Sequence, residues 1–240
     1  MNSIQNFWKN LNLPNKLTVI RLLLVIPFIL FLSIALILNN LNNKISFGSW
    51  YIPRVANTFR IIFLCLALLI FIAAMITDFF DGKIARERKI VTDFGKLWDP
   101  IADKIMTTTA LIFLTVVGYL SFPLLLLIIL RDIIVAGARG VMIKHNISVA
   151  ADKYGKIKTV ILTAVIISGF LFHIIFSSVS FSLIDSVLFS SIENINVINI
   201  NAILENISYY FLNGVFAVAA ILSTISGIKY VSKVSTYMFK

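Results

Sequence analysis

The sequence predicts an all-α protein: a polytopic membrane bundle of six transmembrane helices, with a short N-terminal interfacial helix. Three observations predict it. Of 240 residues, 59% are hydrophobic and 13% charged, whereas a soluble domain is about half apolar and a quarter charged. The apolar residues gather into long runs instead of alternating, which suits membrane spans and not half-buried strands. Lysine and arginine crowd into some connections and are missing from others, the asymmetry that orients membrane proteins. Residues 1–240 therefore read as a single membrane domain, without internal repeats or a separate soluble part.

The elements follow in order. Residues 1–16 read as the interfacial helix, with Phe7, Trp8 and Leu13 facing lipid. The first span is 17–38, about 33 Å at 1.5 Å per residue and enough to cross hydrocarbon. Residues 39–59 read as a polar, Asn-rich loop whose Trp50, Tyr51 and Pro53 lie at the interface. Span two covers about 60–80, and a charged connection over 82–98 follows with Lys83, Arg86, Arg88, Lys89 and Lys96. Spans three (99–120) and four (122–144) meet at Ser121-Phe122-Pro123, a turn short enough for a hairpin. A basic loop at 145–155, span five at 156–176, a Ser- and Asn-rich loop at 177–206 and span six at 207–230 complete the chain.

The segments 1–16, 82–98, 145–158 and 229–240 are rich in Lys and Arg, while the hairpin at 121 and the loop 177–206 have none. Basic flanks stay in the cytoplasm, so both termini are expected there, in a multi-pass protein of the cell (cytoplasmic) membrane. The loop 39–59, with Lys44 and Arg54, fits that rule less cleanly. The net charge of +10 then reflects cytoplasmic flanks against anionic lipid. Basic residues scattered around spans do not make a nucleic-acid surface. The polar start MNSIQNFWKNLNLPNKLT and the long run after it do not match a cleavable signal peptide.

Cys65 is the one cysteine and sits in an apolar run; a single thiol makes neither an internal disulfide nor a thiolate cage, so it reads as a small core residue. His145 and His173 do not form a ligand pair; the first reads as a solvated loop residue and the second as a satisfied bundle residue. The 20 phenylalanines read as lipid-facing bulk.

Against that background, four aspartates stand out in TDFFDGKIARERKIVTDFGKLWDPIADK: Asp78, Asp81, Asp99 and Asp103. Acids next to a bilayer are kept for a reason. Asp78 and Asp81 are three apart and Asp99 and Asp103 four apart, so each pair shares a helix face. Two such pairs on facing helix ends make an oxygen-only cage for hard divalent cations, which points to metal-assisted phosphoryl chemistry at the membrane surface. With the quartet at the basic end of the spans, the site is expected on the cytoplasmic side.

The full pattern is Asp78-x2-Asp81-Gly82-x2-Ala85-Arg86-x8-Gly95-x3-Asp99-x3-Asp103. It resembles, position for position, the signature of the CDP-alcohol phosphatidyltransferases, membrane enzymes that move a phosphatidyl group from CDP-diacylglycerol to an alcohol. PNKLTVIR, GKLWDPIADK, RDIIVAGAR and KYGKIKT look like the phosphatidylglycerophosphate synthase branch, whose acceptor is glycerol 3-phosphate; together they cover most of 14–160. The resemblance implies two ions, Mg2+ or Mn2+, as hard oxygen ligation prefers. It implies that Asp78 and Asp99 share both ions, that Asp81 serves the first and that Asp103 contacts the second. Asp103 is by the same resemblance the candidate general base for the acceptor hydroxyl. Gly82, Arg86 and Thr92 would touch the CDP part, and Thr18 and Arg21 would face the donor head group. A side chain at position 82 would obstruct the approaching donor, Arg86 can fork onto phosphate, and Gly95 lets helices pack closely. The family is commonly dimeric, and Thr107, Thr108, Thr109 and Ala110 offer a stripe of small residues for a homodimer.

An acceptor phosphate needs its own cations. Span four holds Arg131, Asp132 and Arg139 in an apolar run, and arginine inside a span marks an interior site or wet cavity by default. Arg131 lies about 20 Å from the cytoplasmic end of a straight helix, so water must reach inward. Neighbours on a helix point about 100° apart, so Arg131 and Asp132 are expected to pair poorly with each other. Arg139 and Arg131 are the candidates for the acceptor phosphate, joined by Lys153 and Lys156, with Lys104 and Lys158 behind them; the lysines of KYGKIKT are equally well explained as a positive-inside flank.

Two departures from the branch bear on the acceptor: Asp132 stands where Glu is frequent, and no Gln follows the GK-x-KT segment among Val160, Ile161 and Leu162. The rivals are the same chemistry on another acceptor (a cardiolipin, phosphatidylinositol phosphate or phosphatidylserine synthase), a divalent-cation transporter, and a non-catalytic nucleotide binder. A transporter would want its acids at mid-span, and a non-catalytic relative would not need all four aspartates.

Overall fold

A computed structural model of the chain describes residues 12–44, 51–87, 93–144, 159–176 and 195–238, with the side chains at several helix ends, those of Asp81, Arg86 and Arg139 included, outside the described set. Every described element is a helix: α1 (Leu13–Lys44), α2 (Tyr51–Glu87), α3 (Asp93–Val116), α4 (Phe122–Lys144), α5 (Thr159–Phe176) and α6 (Ile195–Met238). Four contain stretches long and apolar enough to cross a membrane: Leu13–Leu41, Val55–Asp78, Thr159–Phe176 and Asn206–Ile228. The chain is a multi-pass membrane protein by these helices. Spans three and four of the sequence reading, in α3 and α4, do not reach that measure among the described residues. α3 carries Asp99, Asp103 and Lys104 near its start, and α4 carries Arg131 and Asp132.

The helices run further than the apolar runs. Residues 39–44 and 51–59, read as loop, continue α1 and begin α2, and most of the charged connection 82–98 is helical as well. Apolarity marks only the stretch in hydrocarbon; backbone hydrogen bonding carries a helix on into the interface. Residues 13–16, read as the end of an interfacial helix, are continuous with α1, and residues 1–11 lie outside the described residues. Asn12 caps α1: its carbonyl accepts from the Lys16 amide at 3.0 Å, and Pro14 falls in the first turn, where no donor is needed.

The chain divides into two compact units. The first holds α1, α2, α3 through Thr109, and the end of α5 from His173. Here α1 and α2 form an antiparallel pair in constant register. Arg21 meets Asp78; seven residues on along α1 and seven back along α2, Phe28 stacks on Phe71 with ring centroids 6.1 Å apart; eleven further, Asn39 meets Arg60. The seam is packed with fully buried Phe28, Leu64, Ala67, Phe71 and Ala74, the small residues letting the backbones approach. The opposite faces expose Leu23, Ile26 and Leu69, which suits lipid and not water.

The second unit holds α3 from Ala110, α4, α5 to Phe172, and α6. Phe113 stacks on Phe170 with centroids 5.2 Å apart, and Gly169 lies so close to Leu114 that a Cβ would meet its methyl carbons at 3.0 Å. α3 ends in a Schellman motif: Gly118 donates to Thr115 and Tyr119 to Leu114, at 3.1 and 2.8 Å, with Gly118 at φ +89°, the left-handed cap that glycine adopts without strain. α4 and α6 run parallel, because Asn213 bonds the Ser121 amide at one end and Arg131 bonds the Ser223 carbonyl ten residues on.

Two core expectations are corrected. Cys65 is exposed on α2, not in the core, because it falls off the Leu64–Ala67–Leu68–Phe71 seam. The phenylalanines are not merely lipid-facing bulk: Phe28, Phe71, Phe170 and Phe216 are fully buried. Large rings fill the gaps that small residues leave between helices.

Candidate active site

The site is built in the first unit, where α1, α2 and α3 present polar side chains from otherwise apolar surfaces. Asp78 closes the apolar stretch of α2, and Asp99 lies in the first two turns of α3, just before Pro100. Proline leaves the carbonyl four residues earlier without its helical donor, so the backbone beside the second aspartate pair is itself polar. Asp78 and Asp99 come near enough to feel each other's charge. These two carboxylates, 21 residues apart in sequence, thus lie within electrostatic reach of each other.

α1 supplies what the motif does not contain. Thr18 and Arg21, both fully buried, lie three residues apart and so share a face. The Arg21 guanidinium donates from Nη1 to Asp78 Oδ1 at 2.7 Å. The Thr18 hydroxyl lies against Asp99 Oδ1 and also against the Pro14 carbonyl, the latter at 3.2 Å. The resemblance turned both residues toward the donor head group; the structure brings both to the aspartates. Both bonds fall on an Oδ1 atom.

The other expected site residues divide by position. Asp103 is half-buried in α3, one turn beyond Asp99, and its carbonyl accepts from the Thr107 hydroxyl at 2.9 Å. Asp81, Gly82 and Arg86 lie in the last turns of α2, but their side chains are outside the described residues, as is that of Arg139 in α4. Thr92, Lys153, Lys156 and Lys158 lie outside them altogether. Among the described residues no three acidic or imidazole groups close a complete cage. Ala110 of the small-residue stripe is fully buried within this chain.

Arg131 departs from expectation. Its Nη1 bonds the neighbouring Asp132 at 2.9 Å and its Nε the Ser223 carbonyl at 2.8 Å, with Ser226 Oγ at 3.4 Å from Nη2. The long side chain curls back across the angle that was expected to separate it from Asp132, because in an apolar span a guanidinium takes every acceptor in reach. The space beside it, about 810 Å³, is walled by apolar groups including Leu126, Leu130, Ile134 and Val231, so it is not the wet cavity expected there. A second polar cluster was missed: Arg60 bonds Asn39 and, at 2.6 Å, Asn57. Its signal was present, since three polar residues inside two helical runs must find one another in hydrocarbon.

Fold and site together define a class: a polytopic helical membrane protein with paired carboxylates, steadied by a neighbouring helix, at the end of its spans. The chain belongs to the CDP-alcohol phosphatidyltransferase family, whose model matches residues 11–192. It is similar to the CDP-diacylglycerol–glycerol-3-phosphate 3-phosphatidyltransferase of Mycoplasma pneumoniae, 35% identical over 161 residues covering 67% of this chain and 68% of that protein. Proteins of the same name match from Bacillus subtilis, 34% identical over 75% of this chain and 88% of the relative, and from Rickettsia typhi, 37% identical over 62% and 70%.

Proposed function

We infer that this chain is a CDP-diacylglycerol–glycerol-3-phosphate 3-phosphatidyltransferase, forming phosphatidylglycerophosphate and releasing CMP. The observation that carries the reading is that Thr18 and Arg21, on one face of α1, bond Asp99 and Asp78, two aspartates of a family signature present in full. Relatives that bear this name match the chain across the signature. The other acceptors and the transporter reading have no comparable support.

The reaction is a displacement at phosphorus. The glycerol 3-phosphate hydroxyl oxygen forms a bond to the lipid-side phosphorus of the donor, the bond from that phosphorus to the bridging oxygen breaks, and CMP carries that oxygen away. Asp103 takes the hydroxyl proton, a role open to a carboxylate within hydrogen-bond reach. Asp78, Asp81, Asp99 and Asp103 are the residues to hold two divalent ions, Mg2+ or Mn2+. The fit rests on an oxygen-only donor set and on protein donors that engage the Oδ1 atoms of Asp78 and Asp99. Such ions, when bound, neutralise charge on the phosphoryl oxygens. Gly82, Arg86 and Thr92 receive the CDP moiety. Arg139, with Lys153 and Lys156, binds the acceptor phosphate, while Arg131 is tied to α6.

The site faces the cytoplasm in this reading, with both termini on that side, and the whole chain works as one domain in a homodimer. The test is purified protein supplied with CDP-diacylglycerol, Mg2+ and a panel of alcohols. CMP release with glycerol 3-phosphate alone is the expected result; release with phosphatidylglycerol, serine or inositol phosphate instead would reassign the acceptor.

A further inference from the structure

We propose that α1 is the positioning helix of the carboxylate site, with Thr18 and Arg21 each fixing the Oδ1 of one metal-binding aspartate so that its Oδ2 is presented to an ion. This rests on the metal reading above and adds residues outside the signature. Thr18 and Arg21 are fully buried, three apart on one helix, and they reach aspartates on two different helices, Asp99 of α3 and Asp78 of α2. Both take Oδ1. A carboxylate free to rotate presents either oxygen; one held by a buried donor presents the other. Partners of this kind orient metal ligands, and their loss weakens metal affinity by about 10–100-fold.

The two donors differ in a way that separates orientation from charge. The Thr18 hydroxyl is neutral, so its removal changes orientation alone. The Arg21 guanidinium also repels a dication, so its removal mixes two effects of opposite sign. Thr18 therefore carries the clean test. Thr18→Val keeps the shape and deletes the donor, and Thr18→Ser keeps the donor and deletes the methyl group. Arg21→Lys keeps the charge and loses the planar fork.

The experiment titrates Mn2+ into the full-length protein in detergent without substrate, reading bound ion by electron paramagnetic resonance, alongside melting curves in metal-free buffer. The wild type is expected to bind Mn2+, Thr18→Val about tenfold more weakly and Thr18→Ser as the wild type does. Arg21→Lys, a second variant should Thr18→Val fail to fold, is also expected to bind more weakly. Unchanged Mn2+ affinity in Thr18→Val, with a raised KM for CDP-diacylglycerol, would overturn the proposal in favour of direct donor contact. Equal losses in Thr18→Val and Thr18→Ser would overturn it in favour of methyl packing. Absence of Mn2+ binding in the wild type would remove the metal reading itself.

Discussion

Deleting Asp78 should destabilise the folded protein more than deleting Arg21, although the two form one ion pair. The reason is unequal burial. The Arg21 side chain is 0% exposed, whereas that of Asp78 is 42% exposed. Asp78→Ala removes a carboxylate partner from a guanidinium buried in the α1–α2 seam, and breaking a buried pair costs about 3–5 kcal/mol. Arg21→Met replaces the cation with an apolar chain of similar length and leaves a carboxylate that water can reach. That loss belongs with exposed pairs, about 1 kcal/mol or less. Arg21→Met/Asp78→Ala removes both charges and should return to within about 1 kcal/mol of the wild type, since apolar replacements of buried pairs are often neutral or better. The measurement is denaturant unfolding of the purified protein in detergent, followed by circular dichroism, with the four proteins forming a double-mutant cycle. Activity is not the readout, because Asp78 is also a metal ligand in the proposed mechanism. The reasoning fails if Arg21→Met is at least as destabilising as Asp78→Ala, or if the double variant is no more stable than Asp78→Ala.

Asp99→Asn should lower CMP release by about a hundredfold or more, because several kcal/mol of charge stabilisation depends on the ions proposed for it; turnover close to the wild type in a CDP-diacylglycerol assay would contradict the assignment. Arg139→Ala should raise the KM for glycerol 3-phosphate while leaving that for CDP-diacylglycerol unchanged, and steady-state kinetics on both substrates separate the two. Gly118→Ala should cost about 1–2 kcal/mol in the same unfolding assay, because φ is +89° and nothing lies within 4 Å of a new Cβ, so backbone strain alone is being measured. The same change at Gly214, within α6 and equally uncrowded, should be neutral or stabilising.

The class of fold was legible because it is written in bulk properties: long apolar runs make membrane helices wherever they occur. The placement of Asp78 and Asp99 was legible for a different reason: a spacing of three or four is a statement about one helix, and the aspartates fall at the end of α2 and near the start of α3. Helix limits were legible only inside hydrocarbon. Asn39 and Asn57 looked like loop residues because each is polar, yet both are helical and both bond Arg60. The misreading of Arg131 was of the same kind: helix angles fix where Cβ points, but a guanidinium several bonds further out goes where acceptors are.

What no local pattern contained was register, and register is what joins α1 to the site. The apolar residues alone specify it weakly, since leucines and isoleucines on both helices would pack nearly as well one turn along. The polar residues do not allow that freedom. A slip of one turn, about 5.4 Å, would set Arg21 opposite Ala74 or Gly82 instead of Asp78, and Arg60 opposite Ala35 or Asn43 instead of Asn39. The first slip leaves a buried charge without its counterion, which the membrane interior penalises more than any gain in apolar contact can offset. Two polar ties 18 residues apart on α1, about 27 Å at helical rise, thus select one alignment of two otherwise slippery helices. Thr18 lies three residues before Arg21 on the same face, so the alignment that sets Arg21 on Asp78 goes with the contact of Thr18 and Asp99. Arg60→Leu, at the far end from the aspartates, touches none of the proposed reacting groups; if the ties act together, it should nonetheless weaken Mn2+ binding, and an unchanged titration would show that Arg21 and Asp78 hold the register alone.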